Sequence, residues 1–189
     1  MPIAERRRQI SERNESTTMK ELKAGDAAPA FELPTGDGGK LALADLKGKS
    51  VVLYFYPKDN TSGCTKEACA FNESLARIRK KGAVVVGVSP DSAASHAKFA
   101  DKFDLAFPLV SDESKKMLGA YGVWKEKSMY GRKYMGVERT TVLIDSEGKV
   151  AKIFPKVKVD GHIAEVLAAL KEISSHQFHF TTTETLCQN

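Results

Sequence analysis

Three cysteines in 189 residues are too few, and odd in number, for the paired framework of a small secreted domain. The four histidines are scattered at His96, His162, His176 and His179. None stands at short ligand spacing from a cysteine, which argues against a zinc site. No run reaches the roughly 20 apolar residues that a membrane-spanning helix needs. The stretch Met1–Met19 lacks the apolar core of a secretory signal. Its Arg6, Arg7, Arg8 and Arg13 are offset by Glu5, Glu12 and Glu15, unlike the acid-poor composition of a transit peptide, so residues 1–19 are expected to be a disordered leader. These absences together point to a cytoplasmic protein without membrane association.

What remains is an ordinary globular composition, 42% hydrophobic and 28% charged, with length for one domain and a sizeable core. The net charge of +5 resides in the globular part, since the leader adds only +1 and Glu172 and Glu184 make the tail acidic. Arg77, Arg79, Lys80 and Lys81 fall where a helix should end, where cations complement the macrodipole. Basic and aromatic residues do interleave from Trp124 to Tyr134, but the pattern is weak, and no nucleic-acid partner is expected.

Along the chain, the turn Gly36-Asp37-Gly38-Gly39 predicts a hairpin of short strands. Val51–Tyr56 is an unbroken apolar run ended by Pro57, the mark of a strand buried on both faces. Thr65–Lys80 reads as one helix, with Ala68, Phe71, Leu75 and Ile78 at spacings of three and four. After Gly82 come a second buried strand (83–88) and a helix (92–103) with Ala93, Ala97, Phe99 and Phe103 inward and His96 on an exposed face. A short strand (107–110), a short helix (114–121), a hairpin (139–145 and 149–154) and a final helix (160–173) complete the order, with His162 near the last helix's N-terminus. This order predicts a three-layer α/β sandwich of thioredoxin-like arrangement, built on a central mixed β-sheet and spanning residues 20–173. The polar residues 174–189 are expected to be a disordered tail.

In open α/β sheets, reactive groups gather where strands end and helices begin. Here that junction reads Pro57-Lys58-Asp59-Asn60-Thr61-Ser62-Gly63-Cys64. Cys64 would stand in a helix's first turn, where unpaired amides and the dipole favour a thiolate. Thr61 would bring a hydroxyl near the sulfur, Gly63 a close backbone approach, and Pro57 a shield against water. Taken alone, Cys64 reads more readily as an inert small hydrophobe beside a capping threonine.

The surrounding residues decide between these readings. Tyr54-Phe55-Tyr56-Pro57-Lys58-Asp59-Asn60-Thr61, Gly63-Cys64-Thr65-Lys66-Glu67-Ala68-Cys69 and Tyr130-Gly131-Arg132-Lys133-Tyr134-Met135-Gly136-Val137-Glu138-Arg139 carry a resemblance. From Gly25 to Leu170 the chain resembles the peroxiredoxins of the bacterioferritin-comigratory-protein, or peroxiredoxin Q, subfamily. The family's Pro-x-x-x-Thr-x-x-Cys motif falls on Pro57, Thr61 and Cys64, and its arginine on Arg139. The resemblance implies a thiol-dependent peroxidase in which Cys64 attacks a hydroperoxide and becomes a sulfenic acid. Thr61, Arg139 and the amides of Gly63 and Cys64 would hold the peroxide oxygens, with Arg139 also favouring the thiolate. Cys69 would resolve the sulfenic acid as an intramolecular disulfide, reduced in turn by thioredoxin or a similar dithiol. No metal or organic cofactor is called for, and a monomer is implied.

The departures are small. Ser62 stands where the subfamily usually has proline, and Val142 where an aromatic is commoner. The helix over 92–103 has no cysteine, which excludes the branch that resolves from there. Cys187 in the tail is expected to be a bystander. Two other functions fit the same fold: a protein disulfide oxidoreductase, against which the four-residue spacer between the cysteines counts, and a redox-sensing or holdase-type binding protein.

Overall fold

The structure, a computed structural model, describes residues 21–180, and of 175–180 the helical backbone alone. The leader and residues 181–189, with Cys187, lie outside the described residues. In chain order the strands are β1 (Glu32–Pro34), β2 (Lys40–Ala42), β3 (Ser50–Phe55), β4 (Ala83–Ser89), β5 (Leu109–Ser111), β6 (Trp124–Met129), β7 (Arg132–Val137), β8 (Thr140–Ile144) and β9 (Val150–Phe154). The α-helices are α1 (Ser62–Glu73), α2 (Leu75–Arg79), α3 (Ala93–Phe103), α4 (Lys116–Ala120) and α5 (His162–Phe180).

The apolar run after Lys49 becomes β3, buried along its whole length at the centre of a five-stranded sheet ordered β5-β4-β3-β8-β9. β4, β5 and the far-edge strand β9 run parallel to it, while β8, paired antiparallel to both β3 and β9, runs the other way, so the sheet is mixed as expected. Strand alternation sends Val52, Tyr54 and Tyr56 into one core with Phe71, Ile78, Phe99 and Leu170. Val51, Leu53 and Phe55 enter a second core with Leu118, Tyr121, Val123 and Val142. Helices α1, α2, α3 and α5 cover the first face and α4 the second, giving the three layers. At Gly87, on β4, a Cβ would lie 2.9 Å from the Tyr54 ring and 2.7 Å from Leu109, so this strand crossing admits no side chain.

Three expectations change. The single helix read over 65–80 is two, because Ser74 leaves helical geometry (φ −95°, ψ 1°) and serves as C-cap of α1 and N-cap of α2. Residues 124–137, to which the sequence pattern assigns no element, form the hairpin β6–β7, turned at Tyr130-Gly131 with positive φ at both. The last helix continues past Ile173 to Phe180, with the Ser174 hydroxyl donating to the Leu170 carbonyl inside it. Among the described residues no helix is long and apolar enough to cross a membrane.

Candidate active site

Strand β3 delivers the chain at the sheet's end, and Pro57–Thr61 turns it into α1. Thr61 holds the N-cap position in extended geometry, and its carbonyl accepts the first helical bond from Thr65 at 2.9 Å. Ser62 is the first helical residue, an N1 position where proline and serine are both accommodated, so its departure from the subfamily pattern leaves the helix start intact. Cys64 follows in the first turn, 2% exposed, on the inner face with Glu67, Ala68 and Phe71. In that turn the amides of Ser62, Gly63 and Cys64 have no helical acceptor.

Arg139, in the link between β7 and β8, reaches this turn from the neighbouring strand. Its carbonyl accepts from the Val157 amide at 2.9 Å, which fixes the backbone. Its guanidinium forks, Nη1 donating to Glu67 Oε2 and Nη2 lying 3.3 Å from Cys64 Sγ. Burial works against the Arg139 charge, but Glu67 and then Cys64 more than offset it, raising the group further above its ordinary value. At Gly63 an added Cβ would sit 3.3 Å from Arg139 Nη2, so the missing side chain leaves the guanidinium its room. A cation thus meets a buried sulfur in the first turn of a helix, an arrangement that stabilises negative charge developing there.

Thr61 makes its hydrogen bond within the loop. Its hydroxyl donates to the Lys58 carbonyl at 3.0 Å, not to the Cys64 sulfur, which leaves its lone pairs as acceptors. Pro57 is half-buried at the end of β3. Cys69 lies on the same helix, half-buried, and both cysteines are free thiols. His162 is found at the start of α5, buried, with Nε2 2.8 Å from the Thr141 hydroxyl; burial lowers its pKa.

Three residues of this region escaped the sequence reading. Glu67 stands three residues from Cys64, a spacing that puts it on the same helix face. His96, expected to be exposed, is 0% exposed, and it shares its inward stripe with Phe99 and Phe103 at spacings of three and seven. Its Nδ1 lies 2.9 Å from Asp59 Oδ2, so Asp59 too is buried. The signal for His96 was the stripe itself; for Glu67 it was the position one turn below the cysteine.

Glu67 has a consequence for stability. Burial raises its carboxyl from 4.5 to about 7 despite Arg139, and its Oε1 has no hydrogen-bond partner among the described residues. Because the folded chain holds this proton more tightly than the unfolded one, the group's contribution is full below 4.5 and is lost as pH rises through about 7. Glu67→Gln should therefore flatten the decline in unfolding free energy across that window. Urea unfolding at a series of pH values measures it, and an unchanged slope would refute the assignment.

A thioredoxin-like sheet that sets a buried, helix-N-terminal cysteine against an arginine defines the class of thiol peroxidases. The comparisons agree. The AhpC/TSA family profile matches residues 24–153. Peroxiredoxin Bcp of Bacillus subtilis is 48% identical over 153 residues, covering 81% of this chain and 98% of that protein. Peroxiredoxin Bcp of Escherichia coli K12 is 43% identical, covering 82% and 99%. The solved bacterioferritin comigratory protein of Xanthomonas campestris, whose alkyl peroxide reduction activity is described, superposes with a TM-score of 0.76. It is 44% identical over 80% of this chain and 99% of that one. The chain belongs to the AhpC/TSA family, as a peroxiredoxin of the Bcp, or peroxiredoxin Q, kind.

Proposed function

We propose that the chain reduces hydrogen peroxide and organic hydroperoxides through Cys64, with Cys69 as resolving residue and thioredoxin or a similar dithiol as reductant. The observation that carries this reading is the Arg139 guanidinium 3.3 Å from a buried sulfur in the first turn of α1. The Cys64 thiolate attacks the terminal peroxide oxygen; the O–O bond breaks, and the alkoxide or hydroxide leaves with a proton as alcohol or water. Arg139 and the first-turn amides of Gly63 and Cys64 bear the developing negative charge, and the Thr61 oxygen accepts from the hydroperoxide O–H. Pro57 walls the sulfur from water. The Cys69 thiol then displaces water from the Cys64 sulfenic acid, and a dithiol reduces the resulting disulfide. The acting species is a monomer in a reducing compartment, the cytoplasm, where thioredoxin-type reductants operate.

This cycle requires α1 to open. Five residues of regular helix, at 1.5 Å rise on a 2.3 Å radius, separate the two Cα atoms by about 8.7 Å, with side chains about 140° apart. A disulfide tolerates roughly 7 Å and needs converging Cβ vectors. Both cysteines lie within the continuous helix Ser62–Glu73, so its first turns must unwind before the bond closes. Mass spectrometry of peroxide-treated protein should show Cys64 joined to Cys69, and Cys187→Ser should leave turnover intact. Hydrogen exchange at amides 64–72 should be faster in the oxidised form. A dominant bond to Cys187, or equal protection in the two redox states, would overturn this route. Peroxide consumption with a thioredoxin system separates the reading from an oxidoreductase or holdase role.

A further inference from the structure

The loop that presents Thr61 has little secondary structure to hold it, and its anchors run through one buried side chain. The Asp59 amide donates to Asp91 Oδ2 at 2.8 Å. Its carboxylate Oδ1 accepts from the Tyr56 hydroxyl at 2.7 Å. Oδ2 accepts from the Ser95 hydroxyl at 2.7 Å and meets His96 Nδ1 at 2.9 Å. Behind it, His96 Nε2 donates to the Val110 carbonyl at 3.1 Å. Asp91 is itself held, its Oδ2 by the Ser89 hydroxyl at 2.7 Å and its carbonyl by the Ser111 hydroxyl at 2.6 Å.

Asp59 therefore registers the loop against the ends of β3, β4 and β5 and the first turn of α3. Its two neighbours toward the sulfur follow directly: Asn60 takes the left-handed conformation (φ 59°), and the Thr61 hydroxyl closes back onto the Lys58 carbonyl. We infer that Asp59, backed by His96, is the positioning residue that holds Thr61 and the start of α1 in register with Cys64 for peroxide attack.

Stability alone does not account for this network. A buried carboxylate–imidazole contact contributes no more than well-packed apolar side chains of the same volume would. Burial pushes the Asp59 carboxyl up, yet His96, Ser95 and Tyr56 hold it below its ordinary value, so the anchor is an anion at neutral pH. An anion accepting directed bonds from Tyr56 and Ser95 and seated against His96 fixes a loop to the few tenths of an ångström that a reacting geometry requires. Neither Asp59 nor His96 lies against the sulfur; both act through the loop.

This inference rests on the reading of Cys64 as the peroxide-attacking thiol, and the test separates the two. The reduced protein is treated with hydrogen peroxide, and in parallel with iodoacetamide, and the rates at Cys64 are followed by mass spectrometry. Alkylation needs the sulfur but no peroxide-holding loop. Asp59→Ala should slow the peroxide reaction about a hundredfold, the scale of a 1 Å misplacement, while alkylation stays within about twofold. Asp59→Asn keeps the size but presents an N–H₂ where Oδ2 accepts from Ser95 and meets His96, so it should fold and slow the peroxide reaction about five- to tenfold. That variant keeps the test decidable if Asp59→Ala does not fold. A folded Asp59→Asn protein reacting with peroxide within about twofold of the wild type would overturn the inference, as would equal slowing of both reactions. A wild-type Cys64 inert to peroxide would instead overturn the reading beneath it.

Discussion

Replacing Cys64 with serine is expected to cut peroxide turnover by about a thousandfold or more, the scale of losing a covalent nucleophile. Sulfur attacks the peroxide oxygen as a soft, polarisable anion, and a serine hydroxyl at the same place stays protonated and forms no sulfenic acid. The surroundings would be little disturbed, because Arg139 keeps Glu67 as its partner through Nη1. Stopped-flow consumption of hydrogen peroxide, with thioredoxin and its reductase in excess, measures the loss. Cys69→Ser is the informative companion: it should keep the first reaction with peroxide and lose turnover through the intramolecular disulfide. Retention of most activity in Cys64→Ser would remove the central assignment.

The second large effect is expected from Arg139→Ala. Removing one oriented donor from a site of developing charge costs about a hundred- to a thousandfold in rate, and Arg139 is the charged donor at Cys64. The same substitution strands Glu67, which is 1% exposed. Breaking a buried pair costs on the order of 3–5 kcal/mol when the remaining charge has no escape. Glu67 has one, since burial already raises its carboxyl to about 7 and loss of the cation favours the neutral acid further. The stability loss should therefore be small below pH 7 and grow above it. Arg139→Lys should recover only part of the rate, because a single ammonium cannot reach Glu67 Oε2 and Cys64 Sγ as a planar fork does. Single-turnover oxidation beside thermal unfolding at pH 6 and pH 8 reads both effects. A rate unchanged in the alanine variant would leave Arg139 serving Glu67 alone.

Elements that carry a full hydrophobic period were legible in the sequence. Val51–Tyr56 announced the central strand to within a residue at each end, because a strand buried on both faces needs an unbroken apolar run. The junction that follows was legible in its residue types, and Cys64, Gly63 and Arg139 do come together in space. The hairpin β6–β7 was not legible. Its outer residues Lys125, Glu126, Ser128, Arg132 and Lys133 are exposed, so no period of two rises above the polar background. Its turn also opens with Tyr130, 98% exposed at φ 50°, where asparagine or glycine would have advertised it. His96 was misplaced for a different reason. Histidine is ordinarily counted with the polar face of a helix, and only partners distant in sequence, Asp59 and the Val110 carbonyl, make its burial tolerable.

The interruption at Ser74 divides the helical layer into two pieces with separate fates. Phe71 is packed in the core, and the Asn72 side chain pins the far end of α1 to the segment after α3, donating to the Asp104 carbonyl and accepting from the Ala106 amide, each at 2.9 Å. Beyond the break, Leu75 and Ile78 seat α2 on the sheet independently of the cysteine turns. Any melting that begins at Ser62 thus meets a firebreak before it reaches α2, and the hydrophobic floor beneath Leu75 and Ile78 stays roofed. On the proposed route through Cys69, the helix would fray once per turnover, and a severed helix would confine that fraying to the end where the cysteines are, without exposing surface that clumps with neighbours.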